Sequence, residues 1–230
     1  FTASNPLYLS TTSKLRFVPT DEFNGSVSTL SAHVVESGGS SSSTDTGTLI
    51  TGVSTGGTSD VSNLAYTISI DVGTQNDSPA ADNVSFEENV SEDNFTSDGE
   101  LISSLFDTDV FTDVEDAGSS AGTDELAGIA ISADASNADQ GEWEYKIDDT
   151  TDWENLGDHS IEDTNALFLA PTAKLRFVPT GEYNGVVGNL TVYVVDDSGG
   201  ASFSTSAADV LANASTGGDT SPISEDSYTI

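Results

Sequence analysis

Three short stretches collect acidic and amide side chains between apolar segments: Gln75-Asn76-Asp77-Ser78-Pro79, Thr112-Asp113-Val114-Glu115-Asp116 and Val195-Asp196-Asp197-Ser198-Gly199. Carboxylate and amide oxygens are hard ligands, and Ca2+ takes six to eight of them. The structural alternative is a set of solvated loops that keep an acidic chain soluble. Like charges crowded into shared loops repel one another, which favours a bound cation. The whole chain poses the same problem, since Asp and Glu total 39 against 5 Lys and Arg, a formal charge of −34. Some counter-charge is required, either bound divalent cations or a salty medium. The same field repels phosphate backbones and anionic headgroups, so nucleic acid and acidic membrane surfaces are poor partners.

Other chemistry finds less support. There is no Cys, so disulfides and thiolate metal sites are ruled out. His33 and His159 lack metal-ligand spacing, and no nucleophile elbow, phosphate loop or dinucleotide fingerprint occurs. Paired acids such as Asp148 and Asp149 are expected by chance in so acidic a chain, and nothing marks a cleft for glycosidase work. Trp143 and Trp153 could stack on a glycan, but such residues more often fill a core or a cross-strand pair. These points argue against an enzyme. No apolar run approaches the ~18 residues that insertion in a membrane requires. With no Met at all, the sequence reads as a fragment or processed product of something larger.

The elements that would position the acidic loops come in a repeat. NPLYLSTTSKLRFVPTDEFNGSVSTLSAHVVESGG, from Asn5 to Gly39, returns from Asn165 to Gly200 as NALFLAPTAKLRFVPTGEYNGVVGNLTVYVVDDSGG. STGG at Ser54 to Gly57 recurs at Ser215 to Gly218, and Tyr66-Thr67-Ile68 recurs at Tyr228-Thr229-Ile230. Residues 1–78 therefore read as the C-terminal half of one repeat and 79–230 as a second, nearly complete one. Leu-Arg-Phe-Val, at 15–18 and 175–178, alternates with period two, which sets Leu15 and Phe17 inward and Lys14 and Arg16 outward. The basic residues Lys14, Arg16, Lys174 and Arg176 are expected to pair with carboxylates on the sheet face. Segments 65–72, 128–132, 142–147 and 190–195 are β-branched and aromatic between Gly, Asn, Asp and Ser clusters, and predict strands. Phe23-Asn24-Gly25 and Tyr183-Asn184-Gly185 predict tight turns with positive backbone dihedrals. One helical turn is expected at 101–106. The fold class is all-β: antiparallel β-sandwich repeats in tandem.

On these residues the chain resembles cadherin-like and Ig-like tandem repeats of giant bacterial surface proteins, including RTX-type adhesins. TQNDSP, TDVED and VVDDSGG are similar to the calcium motifs of cadherins, and GIAI, GEWEY, ALFL, LRFVP and YNG follow in the order of the bacterial repeats. The resemblance implies a β-sandwich in a long extracellular chain, with Ca2+ at the joints stiffening it into a rod. It assigns Asn76 and Asp77 as linker ligands, Asp113, Glu115 and Asp116 to the first loop of the next domain, and Asp196 and Asp197 to a second loop at the same pole. Glu88 would complete the site from the first strand, unless its neighbour Glu87 points inward instead. Ser78 stands where cadherins carry Asn, so one or two ions are expected rather than three. The expected role is a structural or adhesive module, with neighbouring repeats, other copies of the chain or surface glycans and proteins as partners. A self-assembling filament built by strand complementation and a glycan-binding module are the rivals.

Overall fold

A computed structural model of the chain describes residues 6–20, 23–36, 52–86, 90–92, 96–113, 125–215, 217–218 and 220–230. They fall into two units, Phe1–Gly73 and Thr74–Ile230. The structure is nearly all β, and every strand pairing is antiparallel.

The first unit holds two short ribbons. β1 (Gly25–Ser26) pairs with β4 (Asp71–Val72), and β2 (Leu30–Ala32) pairs with β3 (Tyr66–Ile68). Its Leu15-Arg16-Phe17-Val18 segment forms no strand, and Leu15 is 59% exposed. Period-two patterning had pointed to a half-buried strand here. Alternation stabilises a strand only where a neighbour pairs with it and a second layer covers its apolar face.

The second copy of those residues has both. In the second unit, β9 (Gly141–Lys146) and β12 (Lys174–Pro179) pair along six residues, from Lys174 opposite Lys146 to Pro179 opposite Gly141. Trp143 and Tyr145 on one strand and Leu175 and Phe177 on the other turn inward, and Trp143 packs edge-on to Phe177 and Phe86. Outward, Arg176 faces Glu144 and bonds it through Nε at 2.6 Å. Its guanidinium lies 4.1 Å above the Trp153 ring, and Lys174 reaches Asp149 at 2.8 Å. The sheet continues to β10 (Glu154–Asn155) beyond β9 and to β6 (Glu100–Leu101) beyond β12. Gly99 lets β6 approach: its φ is +67°, and a Cβ there would come 2.5 Å from the Leu175 carbonyl oxygen. One helical turn, α1 (Ile102–Leu105), follows β6 and buries Ile102 and Leu105.

The second sheet runs in the order β14 (Leu211–Ala212), β11 (Ala166–Leu169), β8 (Leu126–Asp134), β13 (Leu190–Asp196), β15 (Tyr228–Thr229). Its three central strands read as unbroken apolar runs because both faces are covered. Ile129, Ile131, Leu167, Leu169, Leu190, Val192 and Val194 share one core with Trp143, Tyr145, Leu175 and Phe177 of the other sheet. Ala130, Phe168, Tyr193 and Val195 face the other way, under Phe203, Val210, Ala214 and Ile223. A final ribbon pairs β5 (Ala80–Ala81) with β7 (Phe111–Thr112).

The second Asn-Gly turn differs from expectation. The positive dihedral falls on Glu182, at φ 66°, and not on Asn184 or Gly185. Tyr183 N–H closes the turn on the Thr180 carbonyl, and its hydroxyl donates to Val186 O at 2.7 Å. In the first copy the positive dihedral does sit at Gly25, at φ 99°. No helix among the described residues is long and apolar enough to cross a membrane.

Candidate functional site

β13 ends by delivering Asp196 to the rim of its sheet, where the residue is 1% exposed. A buried carboxylate needs partners for both oxygens. Asp196 Oδ1 accepts from the Ser198 backbone N–H at 2.8 Å and from the Ser198 hydroxyl, so the following turn holds the group in place. Oδ2 accepts from Asn76 Nδ2 at 3.2 Å. That same Nδ2 lies 2.7 Å from the Asp77 carbonyl oxygen and 3.3 Å from that of Ser221. Two amide protons thus face three acceptors. At the other end of the amide, Asn76 Oδ1 is buried and meets no donor.

Of the TDVED cluster, Thr112 and Asp113 are described, and the ribbon carries them. Ala80 pairs with Thr112, and one residue beyond that pair stand Pro79 on one strand and Asp113 on the other. Both carboxylate oxygens of Asp113 are buried. The segment carrying Ser221 is fastened beside β13 by a bridge from Val195 to Ile223 and by Asp196 N–H donating to Pro222 O at 2.9 Å. Around the Asn76 amide, oxygen acceptors therefore outnumber donors, which suits a hard cation.

Of the ligands expected from the sequence, Asn76 and Asp196 meet directly, and Asp113 lies beyond the pairing that flanks Pro79. Asp77 offers its backbone carbonyl to the Asn76 amide, and Asp197 is exposed past the strand end. Glu88, Glu115 and Asp116 lie outside the described residues. Among the described residues, Asp77, Asp113, Asp196 and Asp197 do not form a trio of ligand atoms within 4.8 Å of one another, whereas Glu154, His159 and Asp209 do.

That second group was not visible in the sequence. β9 points Tyr145 into the core with no exposed surface, and its hydroxyl emerges among polar atoms at the sheet edge. It lies 2.9 Å from His159 Nε2, 2.9 Å from Asp209 Oδ1 and 3.2 Å from Glu154 Oε2. Burial first, then the hydrogen bond and charge of Asp209, then Glu154, push the phenol pKa far above its ordinary value. His159 lacks a ligand-spaced neighbour in sequence because Asp209 arrives from a distant segment just before β14. Pairs such as Tyr145 with Asp209 are legible only after the two sheets are stacked.

The tryptophans have structural surroundings. Trp143 is 4% exposed in the core, and Arg176 covers a face of Trp153. Asp149 is held below the usual carboxylate range by Lys174 and then Lys146, as a surface ion pair. No family model, no curated protein and no solved structure matches this chain.

Proposed function

We propose that the chain is a structural or adhesive repeat module of a large exported bacterial surface protein, stiffened by Ca2+ where one β-sandwich joins the next. The supporting observation is the Asn76–Asp196 contact, with a carboxylate fixed by Ser198 and an amide oxygen buried beside it without a donor. Ca2+ would convert that surplus of acceptors into ligands, drawing on Asn76, Asp196 and Asp113, with Asp77 and Asp197 at the margins. Linker and domain residues held by one ion would resist bending at the joint, which is what a rod on a cell surface needs. Thermal melting and small-angle scattering in Ca2+ and in EDTA test this reading. Equal midpoints and equal maximum dimensions in both would sink it.

A second reading, a self-assembling extracellular filament, draws on the first unit. Leu15, Phe17, Leu30 and Val34 are 59%, 41%, 44% and 60% exposed, while their repeat counterparts Leu175, Phe177, Leu190 and Val194 are 0%, 3%, 0% and 0% exposed. Strands from another copy would cover such a face by β-augmentation. Ordered polymers in light scattering and electron microscopy would support it, and a stable monomer at high concentration would refute it.

A further inference from the structure

We propose that Glu154, His159 and Asp209, together with the Tyr145 phenol, form a second metal site, selective for a zinc-like transition ion and separate from the acidic pole. The first argument is a count of protons. Three contacts of hydrogen-bond length link the group, Tyr145 hydroxyl to Glu154, to His159 and to Asp209, while His159 Nε2 stands 3.6 Å from Asp209 Oδ2. At most two protons serve them, one on the phenol and one on Nε2, because ionised carboxylates only accept. One contact must then set acceptor against acceptor. A cation among the four groups removes that conflict.

The second argument is geometric. The Tyr145 oxygen lies 2.9, 2.9 and 3.2 Å from atoms of His159, Asp209 and Glu154, and one ligand atom from each of those three residues lies within 4.8 Å of the others. Corners about 3.4 Å apart surround a tetrahedral centre at about 2.1 Å, the length of zinc–nitrogen and zinc–oxygen bonds. Three protein ligands with a phenol or water in the fourth position is a common zinc arrangement. The imidazole excludes Ca2+ as the preferred guest, since nitrogen donors favour zinc and its neighbours in the series. Two carboxylates also match the 2+ charge.

The placement gives the ion a structural role. Tyr145 and Glu154 belong to the four-stranded sheet, His159 follows the 3₁₀ turn Leu156–Asp158, and Asp209 precedes the edge strand of the other sheet. An ion here clasps the two sheets at one edge.

Calorimetric titration of the EDTA-treated whole chain with zinc, in excess Ca2+ to occupy the acidic loops, tests the proposal. One tight equivalent is expected, and His159→Ala should weaken it at least about 100-fold. His33→Ala, which removes the chain's other imidazole, should leave it unchanged. Should His159→Ala fail to fold, His159→Gln serves, with Co2+ absorption reporting tetrahedral coordination in the parent chain. The proposal is overturned if the His159 variants bind zinc as tightly as the parent chain. It is equally overturned if zinc binds only diffusely and leaves the His159 ring resonances unmoved.

Discussion

Replacing Asp196 by Asn separates a cation ligand from a mere structural carboxylate. Without metal the substitution should be well tolerated. The amide oxygen still accepts from Ser198, and Asn76 Nδ2 keeps its acceptors on Asp77 and Ser221, so the loss is confined to its one bond to Oδ2. Removing one negative charge from a chain of net −34 also relieves repulsion. The metal-free melting midpoint should therefore change little. With Ca2+ at about 100 times its dissociation constant, binding to the folded parent chain adds about 2.7 kcal/mol. For a domain the size of the second unit that corresponds to a rise of about 5–11 °C. In Asp196→Asn that rise should largely vanish, so the two proteins separate when Ca2+ is added. Tryptophan fluorescence is the assay, because both tryptophans, Trp143 and Trp153, report on the second unit alone. A variant that keeps the full rise, or a parent chain that shows none, refutes the assignment of Asp196 as a ligand.

Leu175→Ala should cost about 2–5 kcal/mol, since it empties a fully buried site between the two sheets, and urea unfolding followed by tryptophan fluorescence will measure it. Arg176→Ala should cost about 1–3 kcal/mol by the same assay, through the loss of its bonds to Glu144 and the Ser97 carbonyl and of its stack on Trp153. The metal-free chain should lose stability at alkaline pH. Folding holds the Tyr145 proton more tightly than the unfolded chain does, so this stabilisation is complete below about pH 10 and is lost as pH rises beyond it. Tyr145→Phe should flatten that alkaline decline in a series of melts from neutral pH upward.

Local patterning made much of the second unit legible. Lys174–Pro179 alternates as β12 does, and the unbroken apolar runs at Ile129–Ile131, Ala166–Leu169 and Leu190–Val195 correspond to strands covered on both faces. The single helical turn and the pairing of Lys174 and Arg176 with carboxylates followed from the same reasoning. What escaped depends on long-range assembly. Nothing near His159 announces Asp209, since only the packing of one sheet on the other brings them together. The Tyr183 turn carries its strained dihedral on Glu182 because the chain closes earlier, at Thr180, than the Asn-Gly pair suggests. At the acidic pole the residue types were readable, but the donor shortage at Asn76 is visible only when its neighbours are counted.

The two copies of Lys-Leu-Arg-Phe-Val carry this point furthest. Their residues are identical, yet Leu175 is fully buried while Leu15 is 59% exposed. Propensity and alternation cannot account for that contrast, because they are the same in both. The difference is β9: the chain contains one copy of the segment 79–160, and within the second unit that copy pairs with β12. Tyr8 and Val61 are the buried apolar residues of the first unit among those described, and ribbons of two short strands are marginal without a covering layer. A strand with the chemistry of Glu142–Lys146, presenting a Trp and a Tyr inward and carboxylates outward, is what would convert the first copy into a core like the second.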